Sequence, residues 1–326
     1  MRLAPKFPLP LHGVATSLRD MAVGLASFGT ARERQTEHDY PPIGTVITVN
    51  GLHVHYLEKG SGPALILLHG ASGNIRDFNF GLIDKLAKNY RVIAIDRVGH
   101  GYTDPLGTPD ESPQEQARLM IATARQIGVT RAVVAGYSLG GAVALAVALE
   151  DPQFCIGLLL MSAVSQTWEG RTGWLFEIAG NPVLGPVLAR YLSVFMPEQL
   201  VRNKIKGVFA PQSAPAGYEE HIGAGLALRY HAVRSNARQV KHLKPHIEKM
   251  MAGYGQLDMP VEILHGDQDH AVYASVHSDI LARMLPNARY TRLVGMGHAP
   301  HHWAHREIMT SLRRIQKKLE NQRPAA

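Results

Sequence analysis

The chain has 326 residues, of which 45% are hydrophobic and 19% are charged, as is typical of a globular protein. A chain of this length can bury about 75% of its unfolded surface, so one large domain with an inserted lobe is feasible. The formal net charge is +7, but no basic segment is interleaved with aromatic residues, so we expect no nucleic-acid partner. The single cysteine, Cys155, excludes an intrachain disulfide and a multi-cysteine metal site. Cysteine poverty favours the cytoplasm and is also compatible with a bacterial periplasm.

Residues 1–42 do not resemble the start of a folded core. Prolines at positions 5, 8 and 10 interrupt the apolar stretch Phe7–Leu11, and the later segment Met21–Phe28 is too short to span a bilayer. Three interpretations remain open for this region. It is an arm packed on the domain, an amphipathic helix that makes peripheral membrane contact through residues 1–30, or an unusual export or anchor signal.

Residues 43–163 predict a β-hairpin followed by alternating strands and helices. The pair Asn50-Gly51 joins two β-type runs and is a strong hairpin signal. The following apolar runs are typical of strands that are buried on both faces: Ala64–Leu68, Arg91–Asp96, Ala132–Ala135 and Ile156–Met161. Ser112 and Glu115 form a capping box that predicts a helix to about Ile127. This alternation indicates an α/β fold with a mostly parallel sheet and helices on both faces.

The pattern changes between residues 164 and 257, where helical periodicity prevails and no convincing strand is present. We therefore predict a helical cap over residues 164–257, inserted into a core formed by residues 43–163 and 258–326. The strand pattern resumes at Val261–His265 and Tyr290–Val294, and Ile308–Leu319 predicts a closing amphipathic helix.

The sequence Gly136-Tyr137-Ser138-Leu139-Gly140 follows an apolar strand and precedes the helix-forming run Ala142–Leu149. A Gly-x-Ser-x-Gly motif between a strand and a helix predicts a nucleophile elbow with Ser138 at its apex. Unpaired N–H groups at the start of the helix favour negative charge that develops beside this serine. One of these donors is the N–H of Leu139, the residue after the nucleophile.

A serine hydroxyl needs a base within hydrogen-bond reach, and the base needs an acid that orients it. The carboxyl ends of parallel strands meet at one edge of a sheet, so both partners should follow strands. His298 follows the last predicted strand, and Asp267 and Asp269 follow the preceding one. The order Ser, Asp, His is the order that the elbow predicts. The residues alone leave both aspartates as candidates.

The sequence resembles α/β-hydrolase fold enzymes of the esterase/lipase group. The motifs that carry the resemblance are His69-Gly70, Asp96–Asp104, Gly136–Gly141, Gly266–Asp269 and Gly297-His298. They span about residues 45–163 and 258–320. The resemblance implies a twisted, mostly parallel α/β-hydrolase sheet, with Ser138 as nucleophile, Asp269 as acid and His298 as base. It also implies that the backbone N–H of Ala71 completes an oxyanion hole with Leu139.

We expect no cofactor and no metal. The glycine-rich loop at Asp96–Asp104 lacks the third glycine and the Lys-Ser/Thr of a phosphate-binding loop. His301 and His305 can share a helix face, but Glu307 is the one nearby carboxylate in ligand spacing, so the histidine cluster does not predict a metal site. The apolar side chains of the cap provide both its packing and an acyl pocket. The candidate substrate contacts are Tyr137, Trp174, Phe195 and Trp303.

The leading hypothesis is a serine hydrolase that cleaves a carboxylic ester of a small to medium apolar acyl substrate through an acyl-enzyme. The same three residues would also support hydrolysis of C–C bonds, lactones or amides, and cofactor-free perhydrolysis. A hypothesis of another class is a non-catalytic ligand-binding or accessory protein with this fold, since a fold alone hosts many activities.

Overall fold

A computed structural model describes residues 28–322. Most of the segment interpreted above as an arm, a membrane-surface helix or a signal therefore lies outside the described residues. Eight strands form one sheet: β1 (Thr45–Val49), β2 (Leu52–Lys59), β3 (Ala64–Leu68), β4 (Arg91–Ile95), β5 (Ala132–Tyr137), β6 (Cys155–Met161), β7 (Val261–Gly266) and β8 (Ala288–Leu293). Their order is β1-β2-β4-β3-β5-β6-β7-β8. β2 pairs antiparallel with β1 and β4, and all other pairs are parallel, which confirms the predicted fold class.

Helices precede, connect and follow these strands. A helix at residues 28–39, called α1, comes first. The others are α2 (Arg76–Asn79), α3 (Leu82–Leu86), α4 (Pro113–Gln126), α5 (Leu139–Glu150), α6 (Trp174–Ala179), α7 (Gly185–Phe195), α8 (Glu198–Phe209), α9 (Tyr218–His221), α10 (Tyr230–Met251), α11 (Ser278–Met284), α12 (Pro300–Trp303) and α13 (His305–Asn321). Two short 3₁₀ helices lie at Ala224–Leu228 and Tyr254–Gln256. None of the described helices combines the length and the apolar composition that a membrane-spanning helix needs.

The sheet is buried on both faces because its central strands are apolar at every position. In β3, Ile66 and Leu68 face one hydrophobic cluster, and Leu65 and Leu67 face the other. This alternation follows from the two-residue period of a strand. Helices α4, α5, α10 and α11 cover the first face, and α2, α3 and α13 cover the second.

The start of α4 has the structure that its sequence predicts. The Ser112 hydroxyl accepts a hydrogen bond from the N–H of Glu115 at 3.2 Å, and the Glu115 carboxylate accepts one from the N–H of Ser112 at 2.8 Å. This capping box satisfies two N–H groups that would otherwise lack partners at the helix N-terminus.

Residues 164–257 lie between β6 and β7, and their regular structure is entirely helical. A buried guanidinium joins this cap segment to the core. Arg97, in the loop after β4, donates hydrogen bonds to the carbonyls of His69 and Gly70, to Gln116 on α4 and to Gln239 on α10. Burial lowers the pKa of Arg97 to about 9, so the group remains charged at neutral pH.

The start of α5 and the end of β3 are in direct backbone contact. A Cβ atom on Gly140 would lie 2.2 Å from the carbonyl oxygen of Leu68 and 2.4 Å from that of His69. Both atoms are backbone oxygens at the carboxyl end of β3, so they cannot rotate away as a side chain could. Glycine is therefore required for this approach of helix and strand.

We predict that Gly140→Ala lowers the free energy of unfolding by about 2 kcal/mol or more, because the added methyl group must displace that backbone. Gly207→Ala is the matched control, since Gly207 lies inside α8 and a Cβ there would meet nothing within 4 Å. It should raise stability by about 0.5–1 kcal/mol through better helix propensity. Urea unfolding of both variants measures this, and equal effects would contradict the proposed constraint.

Candidate active site

Ser138 lies at the turn between β5 and α5 in a strained backbone conformation. Its φ is 54° and its ψ is −121°, a region that side-chain-bearing residues rarely adopt. Neighbouring backbone holds it there, because Ser138 donates its N–H to the carbonyl of Met161 at 3.0 Å and accepts from the N–H of Val164 at 3.1 Å. Strain that surrounding structure maintains in this way is typical of functional sites.

Ser138, His298 and Asp269 form one hydrogen-bonded chain. The Ser138 Oγ is 3.0 Å from His298 Nε2, and His298 Nδ1 is 2.6 Å from Asp269 Oδ2. All three side chains are buried. The carboxylate accepts the Nδ1–H, which leaves Nε2 as the acceptor for the serine hydroxyl. This arrangement can remove a proton from Ser138 as its oxygen attacks an electrophile.

Asp269 accepts hydrogen bonds on both oxygens. Oδ1 accepts from the N–H groups of Ala271 and Val272, and Oδ2 accepts from His265 as well as from His298. Burial alone would raise the pKa of Asp269, but the hydrogen bonds from the two imidazoles hold it well below its ordinary value. The carboxylate is therefore ionised at neutral pH.

The structure separates the two aspartates that the residues alone left as candidates. Asp267 Oδ1 accepts the N–H of Gly295 at 2.7 Å and fixes the loop that follows β8. It makes no hydrogen bond to His298 within the described chain. Of the two, Asp269 is the residue placed to orient His298.

His265 is a site residue that the sequence analysis missed. It is fully buried, its Nδ1 accepts from the Ser278 hydroxyl at 2.6 Å, and its Nε2 donates to Asp269 and to the carbonyl of Val272. It therefore fixes both the acid and the loop after β7. The signal in the sequence was a polar residue at the end of an otherwise buried strand, directly before the acid-bearing loop.

Ala71 and Leu139 line the same cavity as Ser138. Leu139 is the first residue of α5, where a backbone N–H has no acceptor within the helix. The loop that carries Ala71 is braced on both sides, because Ser72 donates its N–H to Asn236 and His69 donates to the carbonyl of Gly70. His69 Nε2 accepts the N–H of Arg97. Burial keeps the pKa of His69 well below its ordinary value, so this imidazole is a neutral brace.

A cavity of about 930 Å³ opens above Ser138, between the core and the cap segment. Its wall is mainly apolar. Lining residues from the cap segment include Val164, Trp168, Phe176, Val201, Ile205, Val208, Phe209, Val240 and Leu243. Tyr137 also lines it, with its ring 5.0 Å from the ring of His298.

Of the four predicted substrate contacts, Trp174, Phe195 and Trp303 do not line this cavity. Trp174 is 71% exposed, whereas Phe176 lines the cavity, because side chains two residues apart point to nearly opposite sides of a helix. Phe195 packs on Tyr191 at an exposed face of α7, with ring centroids 5.0 Å apart. Trp303 ends α12 and is exposed, while the preceding histidines point inward.

Those two histidines meet a carboxylate that lies far away in the sequence. His301 Nε2 and His302 Nε2 are 3.1 and 2.8 Å from Asp77 Oδ1. Tyr218, on α9, donates its hydroxyl to the same oxygen at 2.7 Å. Among the described residues, Asp77, His301 and His302 are the set whose ligand atoms lie close enough together to hold a metal ion. Asp77 could not be recognised from the sequence as a partner of these histidines, because it lies 224 residues from His301.

Comparisons with known proteins agree with this architecture. The family model for the alpha/beta hydrolase fold matches residues 63–305. An uncharacterized protein of Mycobacterium tuberculosis is 27% identical over 270 residues, which cover 80% of this chain and 77% of that protein. Among solved structures, an esterase from Rhodococcus has a TM-score of 0.64 and 22% identity, covering 84% of this chain and 98% of its own. An enol-lactonase from Burkholderia xenovorans has a TM-score of 0.68 and 17% identity, covering 84% and 100%. The sheet, the elbow and the family match together show that this chain belongs to the α/β-hydrolase fold family.

Proposed function

We propose that the chain is a serine hydrolase that cleaves the carboxylic ester of a small to medium apolar acyl substrate. The observation that carries the proposal is the 3.0 Å contact between Ser138 Oγ and His298 Nε2 at the floor of the cavity. A hydroxyl in hydrogen-bond contact with a carboxylate-oriented imidazole is the arrangement that makes serine nucleophilic.

In the proposed reaction, His298 takes the hydroxyl proton as Ser138 attacks the acyl carbon. The N–H groups of Leu139 and Ala71 stabilise the oxyanion, and Asp269 stabilises the imidazolium that forms. His298 then protonates the leaving alcohol, and an acyl-enzyme remains on Ser138. Water, deprotonated by His298, attacks this ester and releases the acid. The strained backbone of Ser138 keeps its oxygen at the cavity floor throughout both steps.

The apolar wall favours an apolar acyl group over an anionic one. Arg229 and Arg234, two cap-segment arginines whose guanidiniums could bind a substrate carboxylate, do not line the cavity. Arg229 forms an ion pair with Glu37 and donates a hydrogen bond to the carbonyl of Gly101. Arg234 donates hydrogen bonds to the carbonyls of Ala179 and Asn181. Because both guanidiniums bind protein groups outside the cavity, neither is placed to bind the carboxylate of a dienone acid. This supports hydrolysis of an ester of an apolar acid over C–C bond hydrolysis of a dienone acid. Lactone hydrolysis uses the same groups and stays the alternative, as in the structurally similar enol-lactonase.

We predict that Ser138→Ala lowers kcat/KM for short p-nitrophenyl esters by about a thousandfold or more while the melting temperature stays near that of the wild type. Ser165→Ala is the matched control, because Ser165 is also a buried serine but its hydroxyl has no partner within the described residues. It should retain activity. Turnover by the Ser138 variant at the wild-type rate, or no turnover by the wild type, would contradict the proposal and favour an accessory role.

We also propose peripheral contact with an anionic lipid surface. The cap segment exposes a series of large apolar side chains on α6, α7 and their flanks: Trp174, Ile178, Val183, Leu184, Val187, Tyr191, Phe195 and Leu200. Helix α1 is fastened beside them, because Arg32 donates to the carbonyls of Ser193, Val194 and Met196 near the end of α7. Helix α1 therefore lies next to this face. Exposed apolar patches of this kind mark interaction surfaces, and the net charge of +7 favours anionic lipids.

We predict that, in a density-gradient flotation assay, more of the full chain floats with phosphatidylglycerol vesicles than with phosphatidylcholine vesicles. Val187→Glu should reduce the fraction bound to phosphatidylglycerol vesicles several-fold, because it places a charge in the exposed face of α7. Val46→Glu, the same change at an exposed valine on edge strand β1, should not. Equal binding by both variants would contradict a lipid surface as the partner of this face.

A further inference from the structure

Asp77 gives one end of the cavity a charge that the proposed mechanism does not use. Asp77, Tyr218, His301 and His302 all line the cavity. The other charged lining residues with carboxylate or ammonium groups, Glu169 and Lys204, are exposed. A ligand in the cavity therefore meets an apolar wall with one buried carboxylate in it.

The three protein donors converge on one oxygen of this carboxylate. His301, His302 and Tyr218 all contact Oδ1, and no described residue donates to Oδ2. The Asp77 side chain is 7% exposed and lines the cavity. A carboxylate has two acceptor oxygens, and a buried one is stable only when donors satisfy it. The geometry leaves Oδ2 as the oxygen available to a ligand.

The carboxylate is ionised. Burial alone would raise the pKa of Asp77, but the neighbouring imidazoles and their hydrogen bonds hold it well below its ordinary value. Neither lysine nor arginine pairs with it in the described chain, where its ion-pair candidates are the two histidines. Burial lowers the pKa of His301 to about 4, so this imidazole is a neutral donor at pH 7. The site thus favours a donor or a cation and disfavours a second anion.

The carboxylate belongs to the same cavity as the reacting groups. The ring of Tyr137 contacts the imidazoles of both His298 and His301, with centroid distances of 5.0 and 4.2 Å. Ser138 and Asp77 line the same cavity, and Tyr137 contacts a histidine of each group. A single substrate with its acyl carbon at Ser138 can therefore also reach the Asp77 cluster.

A metal ion is the competing occupant, since Asp77, His301 and His302 have ligand atoms within 4.8 Å of one another. Metal-binding histidines almost always donate their second ring N–H to an acceptor. His301 Nδ1 is buried and has no hydrogen-bond partner in the described residues. This missing second contact favours the hydrogen-bonded cluster over a metal site.

We infer that Asp77 Oδ2 is a specificity subsite that binds a hydroxyl or ammonium group on the substrate, a few bonds from its scissile ester. This inference rests on the proposed ester hydrolysis. It makes Asp77 a substrate-binding residue, while His301, His302 and Tyr218 hold its carboxylate in place.

The test compares p-nitrophenyl esters of equal chain length, from four to eight carbons, whose acyl chains end in a methyl, hydroxyl, ammonium or carboxylate group. For at least one length, the wild-type kcat/KM should be about tenfold or more higher with a hydroxyl or ammonium end than with a methyl end, and lowest with a carboxylate end. Asp77→Asn keeps an acceptor for the three donors but removes the charge, and it should bring these ratios close to one.

Tyr218→Phe is the matched control, because it removes one support of Oδ1 and leaves Oδ2 unchanged. It should lower kcat/KM for all four esters by a similar factor and preserve their order. A role of Asp77 that is only structural predicts the same pattern for Asp77→Asn, and that result would overturn the inference. If Asp77→Asn does not fold, the wild-type order decides, and equal rates with methyl and hydroxyl ends at every length would overturn it.

Two further outcomes are distinguishable. Absence of hydrolysis of every ester, including the methyl-ended one, contradicts the proposed function itself. Loss of activity in EDTA with recovery on addition of Zn²⁺ alone would assign the cluster to a metal and overturn the substrate subsite.

Discussion

The backbone contact between the start of α5 and the end of β3 positions the turn that carries Ser138 and the start of the loop that carries Ala71. Gly140 allows the helix to approach the carbonyls of Leu68 and His69, and Gly136 allows the turn itself to close, since a Cβ there would lie 2.3 Å from the Gly140 carbonyl oxygen. The same closure gives Ser138 its positive φ, and α5 begins at the next residue, Leu139. The loop after β3, which carries Ala71, starts at this contact. The strained serine and the start of the loop that carries Ala71 are therefore positioned by one packing constraint.

Buried charges with four hydrogen bonds each extend this rigidity outward. The carboxylate of Asp269 accepts from two backbone N–H groups and two imidazoles, and the guanidinium of Arg97 donates to two carbonyls and two glutamine side chains. Charged hydrogen bonds are stronger inside a protein than in water, and an unsatisfied partner is costly. Asp269 thereby holds the loop after β7 under His298, while Arg97 connects the loop that carries Ala71 with α10 of the cap segment. Asp77 differs from both because its donors converge on one oxygen.

Local patterns in the sequence were sufficient to predict the strands of the core and the turn at Ser138. Strands β3–β7 are short apolar runs, the elbow is defined by glycines at fixed spacing, and Ser138, Asp269 and His298 each follow a strand whose carboxyl end lies at the same sheet edge. The choice between Asp267 and Asp269 needed either the family resemblance or the coordinates, because both aspartates lie in one loop and only the backbone path decides which faces His298. The fold class and the family are confirmed by the sheet and by the family model.

Contacts between distant segments and the orientation of helices in the cap segment could not be obtained in this way. Asp77 and His301 are 224 residues apart, and neither has a local signal for the other. Trp174 and Phe176 are equally apolar, so helical periodicity could not indicate which of the two faces the cavity. In the sequence, His265 looks like any polar residue at the end of a strand. Its role depends on contacts with Asp269 and Val272, which form only when the loop after β7 is folded. These features depend on tertiary packing, which one sequence does not encode in a short pattern.

The central claim is that His298 and Asp269 activate Ser138 as a nucleophile, and covalent labelling tests this most directly. The wild-type protein is treated with a fluorophosphonate, and the modified residue is located by peptide mass spectrometry, with His298→Ala as the control for activation. The account predicts one adduct, on Ser138, whose rate of formation falls by about a hundredfold or more in the His298 variant, since general-base assistance contributes about that much. No adduct on Ser138, or labelling at the same rate without His298, would contradict it.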